Sequence, residues 1–324
     1  MPFGLGSALA LMGAACQATA LPHPIPLPHA RHGHRIERLP DGWLCFGGFS
    51  RASGDRGTRE TWVLPDGATT WRRAGDLVHG HAFFGSARLG GGGVGDRDAV
   101  AVAVGSAVEV YEAAEDRWRV LVEPGRLPQS HLAAAVHDGR LFVLGGYPQR
   151  GTGAFAVDVE VGSVEEVAPP PTYGAGDHFH FAVGLGDGLH VFGGMRSEPW
   201  GVLREHWVLR DGAWERLPDL PEPMWAKFGC VLARGAVVYV FGELGGFAFD
   251  AGGGGSGESG ESGESGGWRR LAGLPGMVVM PVLVDDGVDL WVVGGLAVGD
   301  GGLEDGRVLW RYVVAEDRWV VVRG

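Results

Sequence analysis

The chain has 324 residues, 45% of them hydrophobic, with 59 glycines, 12 tryptophans and a formal net charge of −12. Glycine at this level without a G-X-Y period excludes a collagen-like chain, and the apolar fraction excludes overall disorder. The acidic balance lacks the basic footprint of nucleic-acid binding, so no nucleic-acid partner is expected.

Residues 1–30 form an apolar, Pro-rich segment that stands apart from the rest of the chain. The stretch 4–15 is short and apolar, and residues 17–20 offer small side chains for cleavage, yet no Lys or Arg precedes Arg31. The positive start of a secretory signal is therefore missing. A cytoplasmic protein is expected, or a secreted one if residues 1–20 act as a signal. This segment is too short and Gly-rich to span a bilayer, and no membrane span is expected elsewhere. Cysteines at 16, 45 and 230 share no short spacing, which suggests neither a disulfide framework nor a zinc site. Cys45 and Cys230 lie in apolar runs and read as buried thiols.

From residue 31 onward one pattern returns. Apolar strands end in paired glycines at Gly47-Gly48, Gly145-Gly146, Gly193-Gly194 and Gly294-Gly295, with degenerate copies at Gly105-Ser106 and Gly242-Glu243. A strand bearing an aromatic follows each (Trp62, Tyr111, Phe155, Trp207, Phe249, Tyr312), and then, in all but the third copy, a tryptophan (Trp71, Trp118, Trp214, Trp268, Trp319). Turn sequences such as 65–67, 115–117, 211–212 and 316–318 separate them, and Asp-Gly suits the positive φ of a tight hairpin. The copies recur at roughly 40 to 58 residues, the spacing of propeller blades. Unit boundaries fall near Asp76, Gly125, Thr172, Leu220 and Leu274. Two low-complexity stretches, 89–95 and 252–267, read as flexible solvated loops. They lack the Lys-Ser/Thr of a phosphate-binding loop.

A diglycine, then a Tyr-like aromatic, then a Trp resembles the kelch repeat. The resemblance implies an all-β fold over residues 31–324: a six-bladed kelch-type β-propeller with four antiparallel strands per blade. It also implies a binding scaffold, since most kelch-like proteins bind other proteins, and a monomer. A small-molecule or carbohydrate-modifying enzyme is the alternative, because kelch-like sialic acid epimerases and mutarotases exist. No catalytic set maps onto the chain residue by residue, so no catalytic residue, cofactor or metal ligand is assigned.

Antiparallel blades place the loops between second and third strands on one side of the disc, with the blade-to-blade connections. That side carries Arg51, Arg196 and Trp200. Innermost strands open there with His32-Gly-His34, His79-Gly-His81, Gln129-Ser-His131 and His178-Phe-His180, and with Lys227 in the fifth copy. Seven of the twelve histidines would then share one structural position, each pair pointing the same way because i and i+2 share a strand face. These imidazoles are expected either to bond neighbouring blades, or to line a site for a protein or small anionic ligand, or to hold a metal that no spacing identifies. Asp177 is either a ligand or a turn acid.

Overall fold

The computed structural model describes residues 26–50, 57–81, 83–89, 99–104, 107–128, 130–147, 151, 153–174, 176–252, 267–299, 302–304 and 307–322. Arg51 and most of both low-complexity loops lie outside them. The described residues form six four-stranded antiparallel sheets, each built from one contiguous stretch of chain. In the third, Ser130–His137, Arg140–Tyr147, Ala154–Asp158 and Val164–Glu166 pair in sequence order.

Burial is deepest in the second strands and least in the outermost. Second strands such as Leu290–Val293 are buried throughout, while an outermost strand such as Arg72–Arg73 is exposed. A strand covered on both faces by neighbouring sheets needs a continuous apolar run rather than alternation, which is what Leu141–Leu144 supplies.

Six hydrophobic clusters each join two consecutive sheets. One holds Leu44 and Phe46 of the first against Phe84 and Trp118 of the second. The last joins Val282, Trp291 and Leu309 of the sixth to Ile36 and Cys45 of the first, with Leu27 and Val322 alongside. Among the described residues the ring therefore closes by direct packing of its first and last sheets, with no strand shared between them. This is a β-propeller.

Tryptophans lock neighbouring sheets together. Trp118 donates its indole N–H to Thr61 Oγ1 at 2.9 Å, Trp268 to the Pro218 carbonyl at 2.9 Å, and Trp319 to the Ala272 carbonyl at 3.0 Å. Each buries a large ring and satisfies its one donor across a sheet boundary. The Glu-Asp-Arg turns serve the same junctions. Asp317, in the left-handed region at φ 47°, accepts the Tyr312 hydroxyl at 2.6 Å and the Ala272 N–H at 2.8 Å.

Paired glycines are required where the chain leaves the second strand. Gly294 has φ +68°, and a Cβ there would sit 2.4 Å from His34 Cε1 on the next sheet. A side chain would be strained in its own backbone and would also collide with its neighbour.

Small accessory hairpins grow from the diglycine ends. Arg31–His32 pairs with Phe49–Ser50, Met195–Arg196 with Gly201–Val202, and Val278–Val279 with Leu296–Gly299, which pairs in turn with Gly302–Glu304. They raise a wall around one end of the central channel. No helix among the described residues is long and apolar enough to cross a membrane.

Candidate functional site

At the start of the innermost strands the backbone forms a collar, with one left-handed residue in five of the six sheets. Gly33, Phe83, His131, Phe179 and Met280 all have φ between 55° and 61°. Successive sheets are stitched there by main-chain bonds: His131 N–H to Phe83 O at 2.6 Å, Phe179 N–H to His131 O at 2.9 Å, Ala226 N–H to Phe179 O at 2.8 Å, and Met280 N–H to Lys227 O at 2.8 Å. Left-handed geometry costs a non-glycine residue about 1–2 kcal/mol, and four bulky residues hold it here. Such strain gathers where the surroundings over-determine a functional shape.

The collar carries a nearly continuous arc of rings. Centroids lie 5.2 Å apart for His32 and Phe49, 5.0 Å for Phe49 and Phe83, 5.0 Å for Phe83 and His131, 4.5 Å for His131 and Phe179, 5.7 Å for Phe179 and Trp225, and 5.2 Å for Trp225 and Phe228. His178 lies 5.2 Å from Phe179. The Lys227 amine stands 5.3 Å from both the Trp225 and Phe228 rings. Except for buried Phe179, these side chains are half-buried, so the arc presents ring edges and one cation to solvent.

Beneath the collar, the innermost strands enclose a cavity of about 550 Å³. Its polar wall is made by Arg35 and Glu37, facing Ser86 and Arg88 of the next sheet. Ser86 Oγ donates to Glu37 Oε1 at 2.5 Å, and the Arg35 guanidinium donates to His34 O at 2.9 Å. Burial raises the Glu37 carboxyl above its ordinary range, with the Ser86 hydrogen bond and the Arg35 and Arg88 charges opposing. Burial likewise lowers Arg35 to about 10, with Glu37 opposing.

The histidines do not share one position. Counting from the collar residue, Arg31, His81, Asp177 and Met224 are equivalent: their carbonyls accept the N–H of Gly295, Gly48, Gly146 and Gly194 respectively. The second sheet's His-x-His pair therefore sits three residues earlier than those of the first and fourth. Nor do the paired imidazoles face one way. Left-handed Gly33 and Phe179 break the strand alternation between them. His32 and His178 stay half-buried at the mouth, while His34 and His180 turn inward and are buried against the diglycines. His180 Nδ1 lies 2.9 Å from Gly193 O, and its ring stacks on Tyr173. His34 has no hydrogen-bond partner for either ring nitrogen among the described residues, and burial pushes its pKa well down. His131 falls to about 4, through burial first and then the nearby His178 and Lys227 charges.

Arg196 is tied down, donating to Thr172 O at 2.7 Å and lying 3.6 Å from both the Asp177 and Glu205 carboxylates. Asp177 is a turn acid that accepts the Gly174 N–H at 3.0 Å. Trp200, 69% exposed, projects from the Met195–Val202 hairpin. His79 and His81 converge on buried Glu109, and the ligand atoms of the three lie within 4.8 Å of one another. Sequence reasoning missed Glu109, Arg35, Glu37, Ser86 and Arg88. The last four had a visible sign, charged or polar residues at i and i+2 in an inner strand.

No protein-family model matches the sequence, and no curated protein matches it. The structure is similar to one titled "Structure of YjhT", with a TM-score of 0.65 over 94% of this chain and 100% of that chain, at 14% sequence identity. At that identity the likeness carries the fold alone.

Proposed function

We propose that this chain is a kelch-type propeller that binds a partner protein on the collar face. The carrying observation is where its apolar surface lies. Of nine large hydrophobic side chains exposed among the described residues, six stand on loops of that face: Val78, Tyr147, Trp200, Leu244, Met277 and Val298. Val161, Val288 and Val321 are the others. Apolar groups scattered at random need no explanation, but their collection on one face around an aromatic arc marks an interaction surface. Exposed Trp and Tyr are the residue types that dominate protein interfaces. Lys227, His32, His131 and His178 add polar groups within the same arc. His34 and His180 support it from below.

A capture experiment tests this reading. Immobilised wild-type chain, a Trp200→Ala/Tyr147→Ala variant and a Val161→Ala/Val288→Ala variant are exposed to lysate of the source cells, and bound proteins are quantified. A partner retained by wild type and the opposite-face variant, and lost from the collar-face variant, supports the proposal. Capture indifferent to the collar-face changes defeats it.

The polar cavity favours a second reading, in which a small polar or anionic ligand, such as a sugar acid, enters the channel and meets Arg35, Glu37 and Arg88. Calorimetric titration with sialic acid, compared between wild type and Arg35→Met, separates it from the first. Binding that survives the substitution counts against the channel.

A further inference from the structure

We propose that His79, His81 and Glu109 form a binding site for one divalent transition-metal ion of the zinc class, at the junction of the first and second sheets. The site stands independently of the partner-binding reading.

Glu109 is the anomalous residue. It is fully buried on the third strand of its sheet, paired with Val102. The residues in the matching place of the first, third, fourth and fifth sheets, each paired with the residue three before the paired-glycine position, are Val63, Ala156, Val208 and Ala248. All four are buried. The sixth sheet places half-buried Arg311 there, ion-paired to Asp289; the other four hold a small apolar side chain, and burying a carboxylate instead is costly unless it is fully partnered.

Its partners converge from one side. The Val78 N–H donates to Oε2 at 2.8 Å and the His79 N–H to Oε1 at 3.0 Å, which fixes the plane of the carboxylate. Both imidazoles then approach the same oxygen, His79 Nδ1 at 2.9 Å and His81 Nε2 at 3.4 Å. His81 is itself held rigidly. Its carbonyl accepts the Gly48 N–H at 2.6 Å, and its ring packs edge-on to Phe84.

Two imidazole nitrogens and a carboxylate oxygen are a familiar donor set for zinc with three protein ligands. Metal–ligand bonds of about 2.0–2.1 Å at tetrahedral angles place donor atoms roughly 3.3 Å apart. The His81–Glu109 distance already has that value; since the three ligand atoms span up to 4.8 Å, His79 must withdraw from Glu109 by about half an ångström and swing towards His81. Its side chain is 35% exposed, against 9% for His81 and none for Glu109. The movable ligand is therefore the solvent-facing one, and the fourth coordination position opens towards water. On binding, His79 presents the Nδ1 lone pair to the ion, with its ring proton on Nε2.

The test uses the full chain, stripped with chelator and titrated with Zn²⁺ and with Co²⁺. One ion per chain, visible tetrahedral Co²⁺ bands and a zinc-dependent rise in melting temperature are expected. His79→Ala should weaken binding at least tenfold and abolish the thermal shift; its ring is partly exposed and outside the core, and circular dichroism checks that the fold is kept. Glu109→Gln should do the same, while His178→Ala should bind as wild type. Sub-stoichiometric zinc on the wild-type chain overturns the proposal. So does binding that His79→Ala leaves intact or that His178→Ala removes.

Discussion

Replacing Gly294 by Ala tests how the ring is closed. Gly294 lies on the sixth sheet with φ +68°, and a Cβ would fall 2.4 Å from His34 Cε1 and 3.1 Å from Arg31 O on the first. Gly212 provides the control: its φ is +79°, but nothing lies within 4 Å of where its Cβ would be. Gly212→Ala should cost only the left-handed penalty, about 1–2 kcal/mol. Gly294→Ala adds overpacking of a closed interface, about 1–3 kcal/mol more. His34 makes no hydrogen bond with either ring nitrogen among the described residues, so His34→Ala should remove bulk without orphaning a partner. The double variant Gly294→Ala/His34→Ala should therefore regain about 1–3 kcal/mol relative to the sum of the single changes. Urea unfolding followed by tryptophan fluorescence gives all four numbers. Equal costs for Gly294→Ala and Gly212→Ala, or strict additivity with His34→Ala, would refute the steric account of the diglycine.

Acid should destabilise the fold. His131 at about 4 and His206 at about 3 lie below the unfolded value of 6.5, so between those limits the unfolded chain binds more protons and stability is lost as the pH is lowered. His131→Phe should flatten the profile between pH 6.5 and 4 by on the order of 1–2 kcal/mol, after discounting for partial exposure; an unchanged slope in urea unfolding argues against a neutral His131. Trp319→Phe, which orphans the Ala272 carbonyl between the fifth and sixth sheets, should cost about 1–3 kcal/mol, read from its denaturation midpoint. Cys45, pushed up to about 11 by burial, and Cys230, raised further by the same cause, should resist iodoacetamide in the native state and label in denaturant, as scored by peptide mass spectrometry.

Much of the fold was legible because its determinants are local and repeated. Gly145-Gly146 and Gly193-Gly194 end second strands, Asp211-Gly212 makes a hairpin, and Trp118, Trp268 and Trp319 recur where each sheet meets the preceding one. A sheet with two apolar faces must stack on neighbours, so the period of these residues already implies a ring of stacked sheets.

The site was not legible in the same way. The spacing of His32-Gly-His34 and His178-Phe-His180 suggested paired imidazoles on one face, but a single left-handed residue between them sends His34 and His180 into the core. That conformation is dictated by bonds from the adjoining sheet, which no local pattern records. The three-residue offset of His79-Gly-His81 carries His81 to Glu109, 28 residues away along the chain. Sequence alone determined the repeated sheets and their turns; the collar face emerges only from the folded chain. Only tertiary packing decided which side chains meet on that face, because each meeting joins residues from different sheets or from distant strands of one sheet, across contacts that exist only once the ring has closed.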